Sequence, residues 1–167
     1  MAHGFKNYTQ PFLHVNLTAL GNNCYFCTVA ALSGMNTHQL VGKAEEMQDD
    51  IPKGMPYILG LFGSAGQANV QHWSGTTPQQ VIQAVLTLGL DIGEAIGLAY
   101  KRNDGSGHMV VLRRLFKDLD CLDYQANFNL VPAAQSNAQG NSMGDAPRYL
   151  PFPPEKDLIE YNLFYVN

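Results

Sequence analysis

The chain has 167 residues, of which 46% are hydrophobic and 14% are charged, a composition typical of one globular domain. Its net charge of −4 argues against a nucleic-acid partner, and no apolar run is long enough to span a membrane. Residues 1–10 lack the basic start and apolar middle of a cleaved signal peptide. Three cysteines, an odd number, argue against a disulfide scaffold and favour a reducing compartment. We therefore expect a single domain over residues 1–167.

Three segments in the first half have the periodicity and the capping residues of helices. The first helix covers residues 24–32 and is stopped by a glycine. The second begins at Asn36 or Thr37 and carries an apolar stripe as far as Met47. The third covers 78–88, with threonine before it, proline in its first turn and glycine after it.

The second half reads mainly as strands. Apolar runs rich in β-forming residues predict strands at 95–102, 109–115, 119–124 and 159–166. Residues 103–107 form a strong turn signal, and residues 132–157 read as a long surface loop. In the first half, 54–75 reads as a glycine-rich loop with short pieces of structure, and 12–17 as a candidate strand. Helices first and an antiparallel sheet second indicate an α+β fold.

Cys24 is the first candidate functional residue, because it opens the first helix. A thiol at a helix N-terminus lies beside unpaired backbone N–H groups and the positive end of the helix dipole, which favour the thiolate. Since the thiolate is the nucleophilic form, Cys24 is a candidate nucleophile if the chain supplies a base. Cys27 lies nearly one turn further along and is expected to be packed.

The two thiols also form a Cys-x-x-Cys pair, which allows other interpretations. A thioredoxin-like redox site would follow a strand in a βαβ unit, and that context is missing. A zinc site needs four ligands, and only Cys121 and scattered histidines remain, so no metal is expected. A purely structural pair of buried thiols is the third alternative.

His108 is the candidate base among the five histidines. It follows the glycine-rich turn and opens an apolar strand. A strand end would hold the imidazole in a fixed position beside a flexible loop, and a general base needs both that position and open access. A strand-end histidine with a structural role is the alternative.

A third residue should hold the far nitrogen of the imidazole and fix its tautomer. The next strand offers Asp123, which shares one strand face with Gln125 and Asn127. A symmetric hairpin turning near 117–118 would set His108 opposite about Asn127. Asp123 can then be the partner only if the turn is asymmetric or bulged. Asn127 stays an alternative, because an amide carbonyl can also hold a histidine.

These residues resemble a known family. Residues 23–27 (Asn-Cys-Tyr-Phe-Cys) at the start of an alanine-rich helix resemble the nucleophile helix of the papain-like superfamily, and residues 107–111 (Gly-His-Met-Val-Val) resemble its histidine strand. Residues 123–125 (Asp-Tyr-Gln) resemble the Asp-x-Gln signature of the papain-fold toxins, which are bacterial glutamine deamidase domains of polymorphic toxins and secreted effectors. The resemblance covers the helix near residue 24 and the segment 97–127.

The resemblance implies a papain-like domain in which N-terminal helices pack on a C-terminal antiparallel sheet. It implies a Cys24–His108–Asp123 triad that deamidates glutamine or asparagine side chains of a protein substrate without a cofactor, with Gln125 near the substrate. The peptidase branch has a glutamine upstream of its cysteine that helps to form the oxyanion hole. This chain lacks it, so Asn22, Asn23 or backbone N–H groups would have to serve.

The same resemblance implies a context. We expect a protein that is secreted or translocated without a cleaved signal peptide, acts in a reducing cytoplasm and has a cognate immunity protein or other inhibitor. A cysteine peptidase or peptidoglycan amidase with the same triad is the alternative enzyme, although Asp-x-Gln argues mildly against it. A non-catalytic α+β interaction module is the alternative from another class.

Overall fold

The structure, a computed structural model, describes residues 4, 5, 8, 24–41, 55–116, 118–124 and 148–166. Its helices are α1 (Cys24–Leu32), α2 (Thr37–Val41), α3 (Met55–Ser64) and α4 (Pro78–Leu88). Its strands are β1 (Val70–Gly75), β2 (Ala95–Arg102), β3 (Gly107–Leu115), β4 (Asp118–Asp123), β5 (Arg148–Leu150) and β6 (Leu158–Val166).

The strands form one sheet of six strands in the order β1-β6-β2-β3-β4-β5, and every neighbouring pair is antiparallel. The predicted α+β class is therefore confirmed. Residues 95–100 of the central strand β2 are all buried, which requires cover on both faces of the sheet.

Helices supply that cover. On one face, α1 and α3 pack against alternate residues of the sheet, including Met109 and Val111. On the other face, Val81 and Val85 of α4 pack with a second set that includes Val110. Because side chains alternate along a strand, consecutive residues of β3 enter opposite cores.

Local sequence explains the ends of α4. The side chain of Thr77 accepts a hydrogen bond from the backbone N–H of Gln80, and the Gln80 side chain caps the backbone in return. Pro78 occupies the first turn, and Gly89 ends the helix with a left-handed φ of 67°. These are the signals on which the helix prediction rested, and the prediction is confirmed.

Two segments interpreted mainly as loops contain more regular structure than expected. The segment 54–75 contains α3 and β1, and the segment 132–157 contains the short β5. The glycines of α3 suggested a loop, but its Ile58 and Phe62 are buried in the core, and this packing outweighs the low helix propensity of glycine. The candidate strand at 12–17 and the second helix beyond Val41 lie outside the described residues.

None of the helices in the described ranges is long and apolar enough to cross a membrane.

Candidate active site

Helix α1 is fixed to β3 by contacts near the start of both elements. The Tyr25 side chain of α1 lies against Gly107 of β3. A Cβ added at Gly107 would stand 3.1 Å from the Tyr25 hydroxyl oxygen. One turn further along α1, the Thr28 hydroxyl donates a hydrogen bond of 2.9 Å to the carbonyl oxygen of Met109. The helix therefore runs in the same direction as β3, and both begin at the same end of the sheet.

These contacts set the level of Cys24 along the strand. Cys24 precedes Thr28 by four residues, or about 6 Å along a helix axis. Gly107 precedes Met109 by two residues, or about 7 Å along a strand. Cys24 therefore lies at the level of Gly107 and His108, and its side chain is fully buried.

His108 and Asp123 are in direct contact. The imidazole Nε2 and the carboxylate Oδ2 are 2.9 Å apart, and the two side chains are 12% and 3% exposed. Asp123 is the last residue of β4, so it reaches the same end of the sheet as the start of β3. The structure thus brings the candidate base and one candidate orienting residue together.

The contact depends on a hairpin that turns one residue earlier than the sequence suggested. Leu115 pairs with Asp118, which leaves a loop of two residues, and Phe116 adopts a left-handed φ of 48°. Val111 pairs with Leu122 in this register, so Asp123 is displaced from His108 by two residues rather than four. The expected register opposite Asn127 is wrong for this reason. A two-residue offset on one strand face is a diagonal neighbour, within reach of long side chains.

The hydrogen bond fixes the chemistry of the ring. An ionised carboxylate only accepts hydrogen bonds, so Nε2 must carry the proton that it donates to Asp123. The neutral imidazole of His108 then keeps its lone pair on Nδ1. Nδ1 is therefore the nitrogen that can take a proton from a nucleophile.

The imidazole and the thiol belong to different faces of the sheet. The His108 ring makes an edge contact with the ring of Tyr100, which belongs to the core on the α4 side. Cys24 belongs to the core on the α1 side, together with Met109. The two groups thus reach the same end of β3 from opposite sides.

A partly buried polar network that no sequence motif indicated flanks His108. Tyr100 donates a hydrogen bond of 2.6 Å to Glu155, and Arg102 binds the same carboxylate through Nε and Nη2, each at 2.7 Å. Tyr100 and Arg102 are in β2, whereas Glu155 lies in the connection between β5 and β6. No motif marks these residues; their only signal is that Tyr100 and Arg102 alternate on one strand face immediately before the turn.

The other two thiols are poor nucleophiles. Burial, and after it the neighbouring Cys24 and Asp123, raises the pKa of Cys27 well above its usual value. Burial, and after it Asp120 and Asp123, raises the pKa of Cys121 far above the neutral range. All three cysteines are free thiols, and the raised pKa values of Cys27 and Cys121 disfavour these two as nucleophiles.

The remaining candidate residues cannot be placed. Asn23, Gln125 and Asn127 lie outside the described residues, as does Asn22. Within the described part of the chain, no group of three or more side chains is arranged to hold a metal ion.

A second polar cluster includes a histidine and a serine, on β1 and β6. Asn162 donates through its amide nitrogen to Glu160, so its carbonyl oxygen faces His72 and Ser74. That oxygen accepts from the Ser74 hydroxyl at 2.7 Å and lies 3.0 Å from His72 Nε2, which must therefore be protonated. A protonated Nε2 cannot take the serine proton, so this arrangement does not activate Ser74.

A groove of about 790 Å³ lies between β1 and α4. Trp73, Tyr165 and the side chains of Gln79 and Gln83 form part of its lining. Among the described residues, its lining includes no thiol, imidazole or carboxylate, and β1 is separated from β3 by two strands of the sheet. The groove is therefore distinct from the His108–Asp123 pair.

The sequence of this chain matches no protein-family model, and the comparison with curated proteins found no match.

Proposed function

We propose that the protein is a cysteine-dependent amidohydrolase that deamidates glutamine or asparagine side chains of a target protein. In this proposal Cys24 is the nucleophile, His108 is the general base, and Asp123 holds the imidazole. The observation that carries the proposal is the 2.9 Å contact between His108 and Asp123 at the end of the sheet where α1 begins with Cys24.

The reaction follows from these groups. His108 Nδ1 takes the proton of the Cys24 thiol, and the sulfur attacks the carboxamide carbon to form a tetrahedral oxyanion. The oxyanion collapses, the C–N bond breaks, and the imidazolium gives its proton to the leaving ammonia. Water then attacks the thioester as His108 takes its proton, which releases a carboxylic acid and restores the thiol. The net change is one amide and one water converted to one carboxylate and one ammonium ion.

Backbone N–H groups at the start of α1 are suited to stabilise the oxyanion, because the first turn of a helix leaves them without helical partners. Asn23 and Gln125 are proposed to contribute side-chain contacts to the oxyanion or the substrate. The arrangement of α1 against an antiparallel sheet supports assigning the chain to the papain-like toxins.

The mechanism has one geometric requirement. The Cys24 sulfur and His108 Nδ1 must meet within about 4 Å around the start of β3. Gly107 stands at this point and has no side chain of its own, and the Tyr25 hydroxyl lies beside it. The Cys24 sulfur and the His108 imidazole reach β3 from opposite faces of the sheet. Their contact is therefore the part of the mechanism that an experiment must test first.

The burial of Cys24 favours the second candidate, a non-catalytic interaction module. Reactive cysteines are usually partly exposed, whereas the Cys24 side chain has no solvent exposure. In this alternative Cys24 is only a core residue, and the His108–Asp123 pair fixes the β3–β4 hairpin.

Thiol titration separates these two candidates without a known substrate. An ordinary cysteine thiol has a pKa of ~8.5. We expect iodoacetamide to alkylate Cys24 at a pH well below this pKa, because the proposed nucleophile is already a thiolate there. His108→Ala should move the midpoint of this reaction toward that of an ordinary thiol, whereas Cys27→Ala, the matched control, should leave it unchanged. If Cys24 reacts only as a buried, ordinary thiol in the wild type and in both variants, the result supports the interaction module.

The second experiment identifies the reaction. The protein and its Cys24→Ala variant are incubated with a cell lysate, and the lysate proteins are examined by mass spectrometry for amides converted to acids and for new chain ends. Deamidated side chains with ammonia release support the proposal. New chain ends without deamidation would identify a peptidase, and cleavage of purified peptidoglycan would identify a wall amidase. The proposed context, a translocated toxin with an immunity protein, becomes testable once a target is known.

A further inference from the structure

The hydrogen bond to Asp123 leaves the imidazole of His108 with one degree of freedom. A single contact at Nε2 fixes that nitrogen but allows the ring to turn about the contact, and such a rotation would move Nδ1 away from its target. A base that is held in one orientation needs a second contact on the ring itself.

Tyr100 supplies that second contact. It lies directly opposite His108 in the β2–β3 register, and the two ring centroids are 5.7 Å apart at an interplanar angle of 69°. This is an edge-to-face arrangement, which aromatic pairs prefer. Tyr100 is itself almost fully buried, so its ring presents a firm surface to the imidazole.

Glu155 in turn fixes Tyr100. Its carboxylate accepts the tyrosine hydroxyl at one oxygen and is bound by Arg102 at both oxygens. The guanidinium also lies over the Tyr100 ring, at 5.8 Å from its centroid. The paired Arg–carboxylate contact is geometrically specific, so it holds Glu155 in one orientation.

We propose that Tyr100 and Glu155 are positioning residues that fix the imidazole plane of His108, with Arg102 holding Glu155 in place. The inference rests on the proposed function, because it assigns these residues to the same site. It also gives the connection between β5 and β6 a role, since that connection carries Glu155 to the end of the β2–β3 hairpin.

The protonation states agree with this arrangement. Burial, and after it the bond to Glu155, raises the pKa of Tyr100 far above the neutral range. Binding by Arg102, and after it the Tyr100 hydroxyl, lowers the pKa of Glu155 despite its partial burial. Near neutral pH the tyrosine therefore always donates and the carboxylate always accepts.

Charge provides a measurable link between Glu155 and His108. Among the described residues, the imidazole interacts with Asp123 from β4 and Glu155 from the β5–β6 connection, and Arg102 from β2 is paired with Glu155, while α1 brings the thiol of Cys24 to the same level. The Glu155 carboxylate interacts electrostatically with His108. Removal of this negative charge should therefore disfavour the imidazolium ion.

The test uses Tyr100→Phe and Glu155→Gln, with Tyr161→Phe as the matched control. Tyr161 pairs with Tyr100 across β2 and β6, so the control deletes a buried hydroxyl from the neighbouring strand. Two readouts are measured for each folded variant. One is the NMR titration of the His108 ring proton, and the other is the pH profile of Cys24 alkylation by iodoacetamide.

We expect Glu155→Gln to move the His108 titration midpoint to lower pH by a few tenths of a unit, as for a partly screened charge. Tyr100→Phe keeps the ring but frees it from Glu155, and it should slow Cys24 alkylation at mildly acidic pH by roughly threefold to tenfold. Tyr161→Phe should change neither readout. A purely structural role would lower the unfolding temperature of the variants without moving either pH profile.

The outcomes also separate this inference from the proposed function. If both variants fold and match the wild type in both readouts, the positioning role is wrong. If wild-type Cys24 reacts as an ordinary thiol but the His108 titration still responds to Tyr100→Phe, which leaves every charge in place, the positioning holds and the catalytic assignment fails. Since the glutamic acid is only partly buried, Glu155→Gln remains informative if Tyr100→Phe does not fold.

Discussion

At the scale of single residues, the His108–Asp123 pair is the feature that most constrains function. A carboxylate as buried as Asp123 loses much of its hydration, and the cost is recovered only through hydrogen bonds. One of them fixes the proton of His108 on Nε2. The pair is therefore consistent both with an oriented base and with a structural hydrogen bond, and substitutions can distinguish these roles.

Asp123→Asn and Asp123→Ala should differ in their effect on the thiol. The amide oxygen of asparagine can still accept from Nε2, so we expect Cys24 alkylation at mildly acidic pH to fall only by about tenfold. Alanine removes the acceptor, and we expect a loss of about a hundredfold. Alkylation followed by mass spectrometry of the Cys24 peptide measures both rates.

Asp120→Asn is the matched control for this comparison. Asp120 lies on the same strand and forms an ion pair with Arg113 at 3.1 Å, away from His108. Its substitution should leave Cys24 alkylation unchanged. Equal rates for the asparagine and alanine variants at position 123 would mean that the carboxylate does not orient the base.

The sequence identified both members of this pair but not the distance between them. His108 was recognisable from its glycine-rich turn, and Asp123 from the motif that follows. The register depends on Phe116, a bulky residue in the left-handed conformation, where glycine or asparagine is usual. Without a turn signal at this position, the sequence could not show that the hairpin turns between Leu115 and Asp118 and not one residue later.

At the scale of elements, the docking of α1 on β3 decides where Cys24 lies. A Cβ added at Gly97 would stand 2.9 Å from a Met109 methyl carbon and 3.2 Å from Leu32, so the helix comes close to the sheet here. The Thr28 hydroxyl adds the hydrogen bond to the Met109 carbonyl. The bounds of α1 were predictable from its residues, but this placement was not, because both contacts join positions far apart in the sequence.

Thr28→Val tests this docking, because it keeps the shape of the side chain and removes the donor. The buried carbonyl of Met109 loses this bond, and we expect a loss of about 1–2 kcal/mol in the free energy of unfolding. Urea unfolding measures the change.

Thr87→Val is the control for this substitution. Thr87 is exposed on α4, and its hydroxyl donates only to the Gln83 carbonyl one turn back. Loss of this hydroxyl should lower the free energy of unfolding by at most about 0.5 kcal/mol. Equal costs for the two variants would contradict the special role of the Thr28 contact.

At the scale of the whole molecule, the last strand of the chain completes the sheet around the site. Strand β6 lies between β1 and β2, and the connection before it brings Glu155 to Arg102 of β2. The α+β class was predictable because helical periodicity comes before strand patterns. The strand β1 was missed because none of Val70–Gly75 is buried, so it does not show the alternation that marks a half-buried strand. The strand β5 has only three residues, too few to show such a pattern.

The Arg102–Glu155 pair should make the stability of the whole fold depend on pH. The folded state lowers the pKa of Glu155 below its usual value of 4.5, so the pair stabilises the protein fully above that pH. The contribution is lost as pH falls through the lowered pKa, because the protonated carboxyl group no longer attracts the guanidinium. Both side chains are about one-third exposed, so solvent screening limits the stabilisation to about 1 kcal/mol or less.

A double-mutant cycle with Arg102→Gln and Glu155→Gln measures this contribution directly. We expect the coupling energy from urea unfolding to be favourable near pH ~7 and to fall toward zero as the pH drops through the lowered pKa of Glu155, because the carboxyl group then becomes protonated. High salt near neutral pH should reduce it as well, since screening weakens a partly exposed pair. A coupling energy that stays constant across this pH range would show that the two residues stabilise the fold by packing. The charge of Glu155 would then not hold the β5–β6 connection against the site.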